Sequence, residues 1–133
     1  MCPPATIAAS LLMALVIVTA PHALRAPTTT QERPEPRVIE VVAKRYAFEP
    51  SEIEVTEGER VRLVVRSGDG LHGIEIEQFR ISKEIPRGKD PVIIEFTADA
   101  VGHFPILCSV YCGDGHGDMK GALVVTARAS ADP

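Results

Sequence analysis

From Val38 onward, short apolar runs alternate with polar residues and are separated by residues that form turns. In residues 53–55 (Ile-Glu-Val) and 74–77 (Ile-Glu-Ile-Glu), apolar and charged side chains alternate, as they do in a strand with one buried face. Breaks at 57–58 (Glu-Gly) and 68–70 (Gly-Asp-Gly) end such runs. No segment after residue 25 shows the apolar periodicity of a helix. The pattern therefore predicts an all-β domain.

Eight strands are predicted on this basis, at a spacing typical of Greek-key sandwiches. They are Val38–Tyr46, Ile53–Val55, Val61–Arg66, Gly73–Glu77, Ile81–Ile85, Val92–Phe96, His103–Leu107 and Leu123–Thr126. We expect them to form one antiparallel Greek-key β-sandwich at residues 38–127, followed by a short tail at residues 128–133.

The amino-terminal residues have a different character. No charged side chain precedes Arg25, and residues 5–20 are almost continuously apolar. As a helix this stretch spans about 24 Å, which is shorter than a hydrocarbon layer of about 30 Å and favours a secretory signal. The start lacks basic residues and Pro21 follows the candidate cleavage site, so a retained anchor stays open. We predict a hydrophobic leader helix at residues 1–25, either a signal peptide or a single membrane anchor, and a Pro-rich linker at residues 26–37.

Either interpretation places the domain outside the cytoplasm, in the periplasm or on the outer face of the cytoplasmic membrane. Free thiols tend to oxidise there unless a metal ion holds them. The chain has three cysteines, Cys2, Cys108 and Cys112. An odd number with this spacing does not resemble a disulfide framework.

Charge and aromatic content argue against a nucleic-acid partner. The net charge is −4, with 14 basic and 18 acidic residues, and the basic residues form no cluster. Aromatic residues make up 5% of the chain and Trp is absent, which leaves few platforms on which bases can stack.

A cluster of soft metal ligands lies between the last two predicted strands. Residues 108–119 read Cys-Ser-Val-Tyr-Cys-Gly-Asp-Gly-His-Gly-Asp-Met, so Cys108, Cys112, His116 and Met119 share one short loop. Thiolate, thioether and imidazole groups favour copper over Mg²⁺ and Ca²⁺, which prefer oxygen. A second imidazole, His72, stands at the start of a predicted strand and can reach the same end of a sandwich.

Four kinds of site are compatible with these residues. A mononuclear blue-copper site would use His72, Cys112, His116 and Met119 and leave Cys108 without a role. A binuclear copper site would use both thiolates as bridges and would account for every soft ligand. Tetrahedral zinc would leave Met119 without a role, and a Cys108–Cys112 disulfide would leave both imidazoles unused. We favour the binuclear copper site.

The pattern C-x3-C-x3-H-x2-M, preceded by Leu71-His72-Gly73, resembles the CuA domain of cytochrome c oxidase subunit II. The resemblance covers about residues 38–126, including Phe48–Val55, and is greatest to short single-anchor subunits and stand-alone CuA cupredoxins. It implies a cupredoxin-like sandwich that holds two copper ions bridged by Cys108 and Cys112.

The same resemblance implies the remaining ligands. His72 and Met119 would complete one copper ion, while His116 and the backbone carbonyl of Val110 would complete the other. Asp69 falls where the family has an acid that orients the ligand loop.

Two positions depart from the family pattern. Large oxidases have Glu at the position of Val110, and its side chain helps to hold a magnesium ion at the boundary with subunit I. The tryptophan that often receives electrons from cytochrome c is absent here, and Tyr46 or Phe48 stands nearest to its position.

The predicted function is the transfer of single electrons in a respiratory chain, with no catalysis by this chain alone. The expected donor is cytochrome c or another small redox protein, oxidase subunit I is a candidate partner, and an uncleaved amino terminus would add the membrane. The alternatives are a periplasmic protein that stores or delivers copper and a mononuclear blue-copper carrier.

Overall fold

The structure, a computed structural model, describes residues 32–88 and 90–130, together with Met1 and Pro4. The chain divides into two units, Met1–Gln31 and Glu32–Pro133. The predicted leader helix and the first half of the predicted linker therefore lie outside the described residues. Within the described part of the chain, no helix is long and apolar enough to cross a membrane.

Nine strands and two short 3₁₀ helices make up the described part of the chain. The strands are β1 (Arg37–Lys44), β2 (Ala47–Glu49), β3 (Glu52–Thr56), β4 (Arg60–Ser67), β5 (His72–Ile76), β6 (Ile81–Ile85), β7 (Val92–Thr97), β8 (Gly102–Leu107) and β9 (Lys120–Thr126). The 3₁₀ helices are Glu77–Phe79 and His116–Asp118. The all-β prediction is confirmed, and the strand bounds agree to within a few residues.

The first predicted strand, Val38–Tyr46, is wrong at its end. The structure ends β1 at Lys44, turns at Arg45 and Tyr46, and returns as β2, which pairs with β1 through Ala43 and Phe48. This turn contains neither Gly nor Pro, so the sequence carries no turn pattern there. Phe48 is 1% exposed, and its burial fixes β2 against the core.

The strands form a four-stranded sheet in the order β2-β1-β4-β7 and a five-stranded sheet in the order β3-β9-β8-β5-β6. The expected purely antiparallel pairing is wrong at two places, because β1 pairs with β4 and β3 with β9 in parallel. Alternation in the sequence shows which face of a strand is buried, but it carries no information about the neighbouring strand.

The inner faces of the two sheets supply one hydrophobic core. β4 shows the pattern clearly, since Val61, Leu63 and Val65 are buried while Arg62 and Val64 are partly exposed. The largest fully buried apolar side chains are Phe48, Leu63, Ile74, Ile76, Ile85, Ile106, Met119 and Leu123. Because both sheets contribute to this list, the core holds them face to face.

The sheet order brings the predicted ligand segments to one end of the five-stranded sheet. β5 runs antiparallel to β8, with Glu75 opposite Leu107, so the start of β5 at His72 lies beside the end of β8. The loop of residues 108–119 leaves β8 at that same end and returns as β9. The fold thus places His72 beside the loop that carries both thiols.

Candidate metal centre

The ligand loop, residues 108–119, is closed at its base by an extension of the β8–β9 pairing. Leu107 is opposite Lys120, and one step further the Cys108 N–H donates to the Met119 carbonyl oxygen at 3.3 Å. Cys108 and Met119 are 7% and 1% exposed. The two ends of the loop are therefore fixed to the core of the sheet.

The tip of the ligand loop is a tight turn held by its own backbone. The His116 N–H donates to the Gly113 carbonyl oxygen at 3.0 Å, and the Met119 N–H donates to the His116 carbonyl oxygen at 3.2 Å. Gly113 has φ of 138°, a conformation that residues with a Cβ atom rarely adopt. This turn brings His116 back toward the cysteines.

Four side-chain or carbonyl atoms of the loop lie close to a cysteine sulfur. Cys108 Sγ and Cys112 Sγ are 3.7 Å apart, and Cys112 Sγ is 3.7 Å from Met119 Sδ. Cys112 Sγ is 3.8 Å from His116 Nδ1, and Cys108 Sγ is 3.1 Å from the Val110 carbonyl oxygen. Both thiols are free. The loop thus collects two thiols, a thioether, an imidazole and a carbonyl around one point.

His72 adds the second imidazole to this group. One ring nitrogen of His72 and the sulfurs of Cys108 and Cys112 all lie within 4.8 Å of one another. The ring is fully buried, and its Nδ1 atom has no hydrogen-bond partner. Its other nitrogen, Nε2, lies 2.7 Å from Asp69 Oδ1. Since an ionised carboxylate only accepts, Nε2 carries the proton, and the lone pair of a neutral ring is on Nδ1.

Burial and hydrogen bonding shift the pKa values of two groups at the centre. The Arg45 N–H, followed by the His72 side chain, holds the pKa of Asp69 below its usual value, against the opposing effect of burial. Burial and the neighbouring Cys108 thiol raise the pKa of Cys112 to about 11. The metal-free site therefore keeps the Cys112 thiol protonated at neutral pH, and a cation is needed to favour the thiolate there.

Gly73, directly after His72, allows the ligand loop to approach β5. A Cβ atom at this position would overlap the Ser109 hydroxyl oxygen and would lie 2.8 Å from the Val110 backbone nitrogen. Real Cβ atoms essentially never come so close to another heavy atom. The residue after His72 must therefore be glycine for the loop to take this position.

Two contacts to the ligand loop come from Arg45 and Tyr46, in the turn between β1 and β2. The Arg45 Nε–H donates to the Cys112 carbonyl oxygen at 2.9 Å. The Tyr46 ring lies against the backbone of Gly113 and Gly115, where a Cβ on Gly115 would be 2.5 Å from the ring. Arg45 is distant from the loop in sequence and belongs to no motif, so only the fold reveals its contact. Tyr46 is one of the two aromatic residues that stand nearest to the position of the family's tryptophan, and the structure brings its ring to the loop backbone.

Several polar residues near the centre lie at the surface. His103 is exposed on the face of β8 opposite to Ile106, and Asp114 and Asp118 are exposed at the loop. Leu107, the last residue of β8, is 42% exposed because it points away from the core, unlike Ile106. Ile106 and Phe48 are buried as core residues.

Comparison with known proteins identifies the family of this chain. The family model for the cupredoxin-like domain matches residues 8–125. This chain belongs to the cupredoxin-like family. Within the family it is similar to the cytochrome c oxidase subunit 2 of Thermus thermophilus, with 31% identity over 105 residues that cover 79% of this chain and 77% of that protein.

Solved structures show the same cupredoxin-like fold at lower identity. The periplasmic domain of subunit II of cytochrome oxidase (CoxB) of Bradyrhizobium japonicum has 19% identity and a TM-score of 0.63, covering 71% of this chain and 87% of that one. A chain of a heme-copper terminal oxidase dimer has 23% identity and a TM-score of 0.61, and the alignment covers 67% of this chain and 64% of that one.

Proposed function

We propose that this protein is a copper-binding electron-transfer domain of the cytochrome c oxidase subunit II type, with a binuclear CuA centre. The observation that carries the proposal is the convergence of His72 with the two cysteines, with an unpartnered buried Nδ1 atom. A buried polar atom without a partner is unfavourable unless another group, here a metal ion, binds it.

The donor set fits copper better than the alternatives. Thiolate, thioether and imidazole ligands suit copper. The six candidate ligand atoms belong to Cys108, Cys112, His72, His116, Met119 and the Val110 carbonyl. A zinc site would need only four of them and would leave the buried Met119 sulfur without a role. The two buried thiols are 3.7 Å apart, so each sulfur could bind two neighbouring ions.

We propose that Cys108 and Cys112 would hold copper jointly, that His72 and Met119 would complete one ion, and that His116 and the Val110 carbonyl would complete the other. Asp69 fixes the orientation of the His72 ring through the Nε2–H bond. When bound at these residues, copper would supply one-electron redox chemistry.

The protein contributes burial and rigidity to this chemistry. His72, Met119, Cys108 and Cys112 are at most 7% exposed, so these residues exclude water from most of the centre. The ligand loop is held at its base by β8 and β9 and at its tip by its own backbone bonds. A frame of this kind keeps the ligands in place when the charge of the centre changes by one electron, which favours fast transfer.

The centre is a carrier of electrons rather than a site of copper delivery, because its ligands are buried. A protein that delivers copper needs ligands that a partner can reach, whereas only His116 and Val110 among the six are partly exposed.

We propose cytochrome c or a similar small redox protein as the donor and oxidase subunit I as a partner. The location would be the periplasm or the outer face of the cytoplasmic membrane.

Electron paramagnetic resonance of the copper-loaded protein tests the binuclear centre. We expect two copper ions per chain and a seven-line hyperfine pattern in the mixed-valence form. Cys108→Ser should abolish this pattern, whereas in a mononuclear centre on Cys112 it would have little effect. A four-line spectrum with one copper ion per chain would overturn the proposal. Rapid loss of copper to an external chelator would instead favour a delivery protein.

A further inference from the structure

Arg45 contacts both parts of the candidate metal centre from the turn between β1 and β2. Its backbone N–H donates to Asp69 Oδ2 at 2.9 Å, and its side-chain Nε–H donates to the Cys112 carbonyl oxygen at 2.9 Å. The other oxygen of Asp69 is bound to His72 Nε2. One residue outside the ligand motif is therefore connected to the His72 ring and to the ligand loop.

Few other hydrogen bonds in the structure hold this part of the ligand loop, which makes the bond from Arg45 to Cys112 important. The backbone bonds of the ligand loop lie at its base and within the turn after Gly113, and none of them involves the carbonyl of Cys112. The guanidinium group gives this carbonyl a charged donor, which is stronger than a neutral one. The Arg45 side chain also passes close to Gly70, where a Cβ atom would be 3.2 Å from Nη2.

The charge of Arg45 has a second consequence for the centre. The guanidinium group places a positive charge beside the ligand loop, where its Nε–H binds the Cys112 carbonyl oxygen. A nearby positive charge favours the state of a redox centre that carries the additional electron. Arg45 is exposed, so solvent and salt weaken this effect.

We propose that Arg45 is a positioning residue of the metal centre, which holds the ligand loop against the Asp69–His72 pair and raises the reduction potential through its charge. The part of this proposal that concerns copper rests on the function proposed above. The positioning role does not require the metal, because both hydrogen bonds are present among the protein's own residues.

Hydrogen exchange in the reduced, metal-free full chain tests the positioning role. In Arg45→Met, we expect the amides of His116 and Met119 to exchange at least about tenfold faster, because a charged hydrogen bond to the loop is lost. Core amides such as those of Leu63 and Val65 should keep their rates. Arg62→Met is the matched control, since Arg62 pairs with Glu95 on the outer face of the four-stranded sheet.

The reduction potential of the copper-loaded protein is the second measurement. We expect Arg45→Met to lower it and Arg45→Lys, which keeps the charge, to restore most of the wild-type value. If Arg45 acted only through packing and hydrogen bonding, its charge would not matter, and Arg45→Lys and Arg45→Met would change the reduction potential equally. If Arg45→Met does not fold, Arg45→Gln, which is also neutral, replaces it in both measurements.

The outcomes separate this proposal from the proposed function. Loop exchange equal to that of the Arg62→Met control, or a rise that the core amides share, overturns the positioning role. An unchanged potential in Arg45→Met overturns the electrostatic part. If wild-type protein fails to bind two copper ions, the CuA function is wrong, whereas the exchange measurement on the metal-free chain still decides the role of Arg45.

Discussion

The two histidines at the centre differ in their surroundings. His72 is fully buried, its Nε2 is bound to Asp69, and its Nδ1 has no partner. His116 is partly exposed, its Nδ1 lies 3.8 Å from Cys112 Sγ, and its ring centroid is 5.7 Å from that of Tyr111. His72 is thus fixed inside the protein, while the His116 ring extends from the sulfurs to the surface. We expect a redox partner to make its closest approach to the centre at His116.

Met119 allows the role of a weak ligand to be separated from its role in packing. It is 1% exposed and 3.7 Å from Cys112 Sγ. Met119→Leu preserves most of the buried volume, so we expect a loss in the free energy of unfolding of the metal-free protein below about 1.5 kcal/mol. The loss of a donor should destabilise the oxidised state and raise the reduction potential. Voltammetry showing no change in potential would contradict a ligand role for Met119.

The raised pKa of Cys112 predicts how the stability of the metal-free protein depends on alkaline pH. The pKa is about 11 in the folded state, against 9.0 for the unperturbed thiol. Between these values the unfolded chain loses the proton first, so the stabilisation is complete below pH 9 and is lost as the pH rises toward 11. The decrease in unfolding free energy should reach about 3 kcal/mol at most.

Urea unfolding of the reduced protein at several pH values between 8 and 11 measures this decrease. Cys112→Ser is the control, because serine does not titrate in this range. The same decrease in wild type and in Cys112→Ser would show that other groups cause it.

At the scale of elements, the alternation of apolar and polar residues predicts most of the strands correctly. β6 is predicted with its observed bounds, Ile81–Ile85, and β4 differs by one residue at each end. The parallel pairing of β1 with β4 is not predictable in this way, because pairing depends on contacts between segments that are distant in sequence. The sequence pattern does not predict β2, because the turn between β1 and β2 contains no Gly or Pro.

In the candidate site, too, residues that are close in sequence are predictable from their spacing, whereas contacts between distant residues are not. Cys108, Cys112, His116 and Met119 lie within twelve residues, so their spacing alone places them on one loop. His72 was assigned by its residue type and its position at a strand end, and the structure brings it to the two sulfurs. Arg45 is 67 residues from Cys112, and an arginine in a turn has no feature that predicts a contact with a ligand loop.

The close contact between β5 and the ligand loop predicts the effect of a single methyl group. Gly73→Ala would bring a Cβ atom to 2.8 Å from the Val110 backbone nitrogen, so the loop must move away from His72. We expect the free energy of unfolding to fall by about 1–3 kcal/mol and copper binding to weaken. Gly117→Ala is the matched control, because nothing lies within 4 Å of its Cβ position. Equal copper stoichiometry and affinity in both variants would contradict the prediction.

At the scale of the whole molecule, the described residues contain a core of their own. In the described part of the chain, the buried core residues lie between Val41 and Val125, and most are Val, Ile or Leu from the two sheets. Three of the proposed ligands, Cys108, Cys112 and Met119, belong to the edge of this core. The stability of the sandwich therefore depends mainly on apolar packing, with the metal centre at one end of it.

This distribution of the core predicts that residues 32–133 fold without the preceding segment. We expect the truncated protein to unfold cooperatively, because it contains the described core, and to bind the same number of copper ions as the full chain. Calorimetry and copper analysis of the two proteins, prepared in the same way, provide the comparison. A truncated protein without a cooperative transition would show that residues 1–31 contribute to the core.

The same distribution predicts what happens when copper is removed. A ligand that binds only the folded state stabilises it by RT ln(1 + [L]/Kd), or about 4 kcal/mol when free copper exceeds Kd a thousandfold. For a domain of this size, removal should lower the unfolding midpoint by roughly 15 °C or more.

The metal-free protein should nevertheless keep its β-sheet circular dichroism, because Leu63, Ile74, Ile76 and the rest of the apolar core do not depend on the ligands. Measuring both quantities before and after chelation tests the prediction. Complete unfolding on chelation would show that the metal, rather than the apolar core, holds the two sheets together.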